Sequence, residues 1–382
     1  MGGAVLVALG LTAVGGVAAD GESPGQPPRS DIVELLGAAP QGFARARAPR
    51  PFRFPEDHGA HNDFRSEWWY YTGNLATGGG RRFAFQLTFF RFALSPQAPV
   101  RASAWASNQV YMAHFAVTDV AGERFHAAER FSRGALELAG VEVDPYRVWL
   151  GNWQAGAAGA FFPQTLRADD GGYAIDLRLD GGKPLVLNGD AGLSQKSADP
   201  GNASYYYSIP RIAVSGSLAT PDGVWQVDGA AWFDREWSSS ALAADQVGWD
   251  WFALQLSDGR DLMVYRLRSR DGGTDPHSAG TLVEASGQAR GLGAQDFILD
   301  ELDHWRSPGS GARYPSRWRL RVPGAAIDVV IIPEIPDQEL DLAFRYWEGA
   351  SRVTGTSASA EVSGHGHVEL TGYAPGEVSM PR

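Results

Sequence analysis

Three stretches of the chain gather side chains that can move protons, pair charges or steady a cation. Residues 57–73 read DHGAHNDFRSEWWYYTG and hold His58, His61, Asp63 and Glu67. Strand alternation puts Glu67, Trp69 and Tyr71 on one face and Trp68, Tyr70 and Thr72 on the other. A carboxylate set between large aromatics on a barrel wall is either buried with an arginine partner or lines a cavity. Residues 231–252 read AWFDREWSSSALAADQVGWDWF. There Trp232, Asp234 and Glu236 point one way and Phe233, Arg235 and Trp237 the other, while Trp249 and Trp251 share a face further on. A carboxyl among indoles has a chemical use. Apolar surroundings raise its pKa, so it keeps a proton near neutral pH and can donate it, and indole faces stabilise a cation formed beside them. The alternative is an ion pair of Asp234 or Glu236 with Arg235 or another arginine, locking the connection between two parts of the chain. In the third stretch, residues 346–349 read YWEG and 364–373 read GHGHVELTGY; His365, His367 and Glu369 share a face if that segment is a strand.

The histidines and carboxylates of the first and third stretches are metal ligands by type. A metal site needs three or four converging side chains with fixed supporting partners. Loop or rim histidines bonded to backbone and carboxyl groups account for the pattern better, so no metal and no cofactor is expected. There is no Gly-x-Ser-x-Gly elbow, Ser-x-x-Lys pair, glycine-rich phosphate loop or His-Glu-x-x-His helix, which sets aside serine-hydrolase and nucleotide chemistry.

The elements that must position these residues are strands. Beyond residue 52, apolar runs of five to ten residues alternate with Gly, Asp, Asn and Pro clusters, the pattern of strands joined by turns. One series covers residues 67–72, 82–91, 109–119, 147–153, 173–179, 212–218 and 224–233. A second covers 249–256, 261–268, 317–322, 327–332 and 366–370. Phe83, Phe85, Leu87 and Phe89 face one way and Ala84, Gln86, Thr88 and Phe90 the other, so both faces of that strand are partly apolar. Asp-Gly turns at Asp222-Gly223 and Asp258-Gly259 suit tight hairpins. No helical periodicity separates the strands, which disfavours a parallel α/β architecture. The chain reads as all-β, in two domains of residues 52–238 and 239–382. Ahead of them lie an apolar, small-residue segment over 1–19 that reads as a signal peptide and a linker over 20–51 with a short helix at 31–38.

Composition narrows the partners. A net charge of −11, with Lys183 and Lys196 as the lysines, provides no basic stripe for a phosphate backbone, so nucleic acid is excluded as a partner. After the N-terminus no window is apolar for the roughly 20 residues a spanning helix needs. The absence of cysteine removes disulfides, a lipoprotein anchor and thiolate chemistry. The 13 tryptophans and 12 tyrosines point to an apolar small molecule held inside a β-barrel.

Taken in order, DHGAHNDFRSEWWYYTG, QLTFFR at 86–91, WFDREWSSSALAADQVGWDWF, YWEG and GHGHVELTGY resemble the AttH and carotenoid 1,2-hydratase family of lipocalin-like secreted proteins, over about residues 52–373. The resemblance implies two tandem lipocalin-like (calycin-type) antiparallel β-barrel domains and a periplasmic or secreted location. It also implies acid-catalysed addition of water to a terminal isoprenoid double bond. In the hydratases a Tyr-x-Asp element supplies the acid; Trp232-Phe233-Asp234 stands in its place. The reading is an exported protein binding a hydrophobic isoprenoid or lipid. Asp234 is the proton donor, Trp232, Trp237, Trp249 and Trp251 form the cation-stabilising wall, and Glu67, Trp69 and Tyr71 are further ligand-facing groups. The rivals are a non-catalytic carrier of lipids or other hydrophobic ligands, which needs the cavity but no poised acid, and a secreted hydrolase, which needs a nucleophile with its base or a metal site.

Overall fold

The computed structural model describes residues 30–31, 41–240 and 242–373. The segments expected as signal peptide and as the helix at 31–38 lie outside the described residues, apart from Asp31. That residue forms a short strand, Ser30–Asp31, parallel to Phe344–Ser357.

The described residues are chiefly strand, with single 3-10 turns at Glu56–His58 and Pro323–Ala325, in two antiparallel sheets curled in the lipocalin-like manner, one of them into a nearly closed barrel. The first runs Arg124–Arg133, Gln109–Asp119, Arg82–Ala93, Ser66–Ala76, Gly223–Ser238, Ala203–Thr220, Tyr173–Leu179, Gln164–Asp170, Trp153–Ala157, Tyr146–Leu150, Ala139–Val143. The second runs Ala289–Gly293, Ala279–Val283, Asp261–Ser269, Gln246–Leu256, Ala360–Leu370, Phe344–Ser357, Ile327–Pro333, Arg313–Val322, Ile298–Arg306. The chain passes from one to the other between Ser238 and Gln246.

Both sheets close in the same way, and that closure positions the chemistry. In each, the first long strand lies beside the last: Ser66–Ala76 pairs with Gly223–Ser238, placing Tyr70 opposite Asp234, and Gln246–Leu256 pairs with Ala360–Leu370, placing Trp251 opposite Glu369. Stretches more than a hundred residues apart in sequence thus become direct cross-strand neighbours.

Alternation sends one set of side chains into each barrel. Trp69, Tyr71, Phe85, Leu87, Phe233 and Trp237 belong to the first core, and Phe252, Leu254, Trp318, Ile331, Trp347 and Val368 to the second. The other faces of the central strands meet one another. Tyr70, Tyr206 and Trp232 pack with Trp251, Met263, Tyr265 and Leu267, and Phe90, Phe92 and Met112 with Leu340 and Tyr346. The Arg82–Ala93 strand is therefore buried on both sides, the reason its sequence is apolar on both faces. Polar contacts fix the seam: Arg82 with Glu334 at 2.6 Å, Lys183 and Arg211 with Asp261 at 2.7 Å each, and Thr118 donating to Gln338 at 2.8 Å.

Two expectations change. The first barrel's interior, expected to be a ligand cavity, is filled by Trp69, Trp153, Trp237, Tyr71, Tyr146 and Tyr207, all fully buried; a cavity lined by aromatic and acidic side chains lies between the barrels. The strand expected at 212–218 starts at Ala203. Pro210 interrupts its pattern, and the ladder absorbs the interruption as a bulge between Ile209 and Ile212 with Arg211 at φ 54°.

Candidate active site

A cavity with a free volume of about 90 Å³ lies between the outer faces of the two barrels. On the scale of one water-sized probe that is room for several waters, or for one end of a larger molecule. The first barrel contributes Tyr70, Tyr206, Asp234 and Glu236, and the second Trp249, Trp251 and Glu369.

Asp234 forms no ion pair among those of the described residues, and its carboxyl accepts three hydrogen bonds. Tyr206 donates to Oδ2 at 2.6 Å, while Ser208 and the Trp232 indole donate to Oδ1 at 2.5 and 2.7 Å. The two hydroxyls are themselves oriented from behind: Asn188 donates to Ser208 at 2.8 Å, and the Trp251 indole donates to Tyr206 at 3.2 Å. Burial pushes the Asp234 pKa up to about 7, with Glu236 adding to the rise, against the three hydrogen bonds that favour the anion. Tyr206 is pushed well above the ordinary tyrosine value by burial and by Asp234 and Glu236, so its hydroxyl keeps its proton.

From the other barrel Glu369 accepts the Trp249 indole N–H at 2.5 Å. It is half-buried and lines the cavity. Burial, with Glu236 and Asp234 nearby, pushes its pKa up to about 7 as well. Directly across the strand pair, Glu348 takes the Tyr70 hydroxyl and is held well above the ordinary carboxyl value by burial and by Glu369. Lys196 is the cation of the cavity. It pairs with Glu236 at 3.2 Å and lies 4.2 Å from the centroid of the Tyr265 ring.

A family model described as AttH-like matches residues 45–373. The chain belongs to this family. Among solved structures, an AttH protein from Nitrosomonas europaea shares 33% identity with this AttH-like chain, over 87% of it and 100% of the other, with a TM-score of 0.77. Kievitone hydratase from Nectria haematococca shares 16% over 89% of this chain and 99% of its own, with a TM-score of 0.67, a likeness of fold. No curated protein matches the chain by sequence.

Within this AttH-like fold the residues singled out by sequence divide into two groups. Asp234, Trp249 and Trp251 line the cavity, and Trp232 stands behind Asp234 as a hydrogen-bond donor. Glu67, Trp69, Tyr71 and Trp237 are inside the first barrel and away from the cavity. Glu67 ion-pairs there with Arg91 and Arg235, and accepts the His61 backbone N–H at 3.0 Å. Burial opposes its charge, but the two arginines hold its carboxyl well below the usual range. His61 stacks on Trp237 at 3.8 Å and bridges Asp57 and Glu67; His58 bonds Tyr207 at 2.6 Å. His367 is buried at the seam, and His365 lies 3.6 Å from Glu334. Among the described residues no group of three or more such side chains is arranged to hold a metal ion, and no helix is long and apolar enough to span a membrane.

Sequence reading missed Tyr206 as an acid partner and Glu369 as anything but a metal-ligand candidate. The SYYYS run at 204–208 was the available signal for Tyr206: alternation puts Ser204, Tyr206 and Ser208 on one face. The tyrosine beside Asp234 comes from the neighbouring strand rather than from two residues upstream.

Proposed function

We propose that the cavity between the barrels binds the unsaturated end of a hydrophobic, isoprenoid-like or lipid molecule and adds water across its double bond. The observation that carries this reading is Asp234: a buried carboxyl without an ion pair, half-protonated near neutral pH and joined to a tyrosine hydroxyl that faces the cavity. Protonating an alkene needs an acid that is charged neither before nor during binding of an apolar substrate. It also needs a wall that tolerates the tertiary cation produced. Trp249, Trp251 and Tyr70 supply π faces for that cation.

Tyr206 and Asp234 line the cavity side by side. Tyr206 donates to Asp234 Oδ2 when that carboxyl is ionised; when Asp234 carries the proton the same bond reverses, with Asp234 donating to the Tyr206 oxygen, and the Tyr206 hydrogen is then released to pass to the substrate as Asp234 replaces it. Kievitone hydratase, named for a hydration, is built on the same fold; at 16% identity it supports the scaffold's aptness and lends no residue roles. Export to the periplasm or medium is part of the proposal and rests on the apolar segment at 1–19. Fractionation of the native host with detection of the processed N-terminus tests it.

The test of the chemistry uses citronellol, whose single trisubstituted alkene ends an isoprenoid chain, in ¹⁸O-labelled water. The expected product is the tertiary alcohol carrying one ¹⁸O. Binding of citronellol without incorporation of label is the carrier outcome and overturns catalysis.

A further inference from the structure

Adding water to a cation takes a second group, because the attacking water must lose a proton as its oxygen bonds to carbon. We infer that Glu369 is that group, a general base reaching the cavity from the second barrel while the Tyr206–Asp234 pair works from the first. The inference rests on the hydration reading above.

The geometry carries it. Glu369 and Asp234 line one cavity from opposite barrels. Each carboxyl accepts an indole N–H from its own sheet, Trp249 for Glu369 and Trp232 for Asp234. Among the described residues the Trp249 indole is the hydrogen-bond partner of Glu369, on one oxygen, and the groups facing it are engaged elsewhere. Glu348, directly opposite in the ladder, is engaged by Tyr70. Glu236 is engaged by Lys196 and Ser204. Tyr346 is bonded to Gln86 and His114, and Tyr265 to Ser194. His367, two residues along the same strand face, is kept uncharged by burial, which pushes its pKa down to about 3. Two carboxyls that both titrate near pH 7 and repel each other as anions lose their protons in sequence. Near neutral pH the pair therefore holds about one proton between its two carboxyls; the Asp234 charge raises Glu369, so it is the Tyr206 hydroxyl bonded to Asp234, and not the field, that makes the Asp234 side the one that delivers a proton.

The step balances as follows. Tyr206 gives its hydroxyl proton to the less substituted alkene carbon and receives the proton of Asp234; a C–H bond forms from the π pair and a tertiary cation remains. Water bonds to the cation through oxygen, its O–H bond breaks, and the proton goes to Glu369. Alkene and water have become a tertiary alcohol, and a proton returns from Glu369 to Asp234 through the waters the cavity admits.

Citronellol hydration in ¹⁸O-water, followed across pH, tests this together with infrared difference titration of the protein alone. Glu369→Gln preserves size and the acceptor for Trp249. It should lower turnover about 10²- to 10⁴-fold and remove the fall in rate on the acid side of the pH profile, while Glu369→Asp restores part of both. In the infrared, two protonated-carboxyl bands of the wild type should vanish between about pH 5 and pH 8; Glu369→Gln should delete one and shift the other to lower pH. A wild type that releases labelled product while Glu369→Gln matches its rate and pH profile overturns the role of Glu369 alone. A wild type that releases none overturns the hydration reading along with it.

Discussion

The Gly223–Ser238 strand carries an arginine on its inner face and carboxylates on its outer face, and the two faces have opposite electrostatics. Inward, Arg235 meets Glu67 and Arg91, and the three charges are wholly buried. Outward, Asp234 and Glu236 meet hydroxyls, indoles and the carboxyls of the second barrel, with Lys196 as the cation. The inner carboxylate is stabilised as an anion by two guanidiniums, while burial and neighbouring carboxyls raise Asp234 and, across the cavity, Glu369 toward neutrality. Glu67 and Asp234 are both buried, yet one belongs to a fixed ion cluster and the other to a proton store. The difference is the sign and number of neighbouring charges, so burial of a carboxylate is by itself no guide to its use.

The comparison can be broken most forcefully at Glu67. Glu67→Gln leaves Arg91 and Arg235 buried without their anion and should cost about 3–5 kcal/mol of unfolding free energy in urea titrations. A cost under about 1 kcal/mol would mean that the inner cluster is not the structural element described. At Asp234 the expectation reverses. Asp234→Asn should change stability by less than about 1 kcal/mol, since it removes a charge that burial disfavours, while lowering citronellol hydration about 10²- to 10⁴-fold.

Stability against pH sharpens the contrast through its sign. The Glu67 pKa is lower in the folded chain, so its contribution is present above the unfolded value of 4.5 and is lost as pH falls. Asp234 and Glu369 are raised from 3.8 and 4.5 to about 7; their contribution is complete below those unfolded values and is lost as pH rises through about 7. These two carboxyls should therefore draw urea midpoints down between about pH 5 and pH 8, by the equivalent of about 3–5 kcal/mol, against an opposite rise from His58, His114 and His367, whose pKa burial lowers to about 3 and whose contribution returns as pH rises toward 6.5. The double variant Asp234→Asn, Glu369→Gln should remove the downward part and leave a steeper rise with pH, and a pH profile identical to the wild type would show that the two carboxyls do not titrate as described. The smallest effect is expected at Trp251→Phe. It keeps a π face but loses the N–H to Tyr206, and should slow hydration by about 5- to 10-fold, as the loss of roughly one hydrogen bond implies, with little change in melting temperature.

Much of this was legible in the residues. Alternation correctly separated Glu67, Trp69 and Tyr71 from Trp68 and Tyr70, and Asp234 and Glu236 from Arg235 and Trp237. It could not say which set faces a barrel interior, because aromatic and charged side chains occur on both faces of the same strands. The doubly apolar Arg82–Ala93 strand was the clue that a second body covers its outer side.

The sequence by itself determined the all-β character, the two series of strands and the grouping of side chains by face, because the period of two is a property of neighbouring residues. Only the tertiary structure decided that Tyr206 completes the acid at Asp234, that Arg91 neutralises Glu67, and that Glu369 shares a cavity with Asp234. Those pairings depend on which distant strands lie side by side and on how one barrel docks against another, and a local pattern carries no record of either.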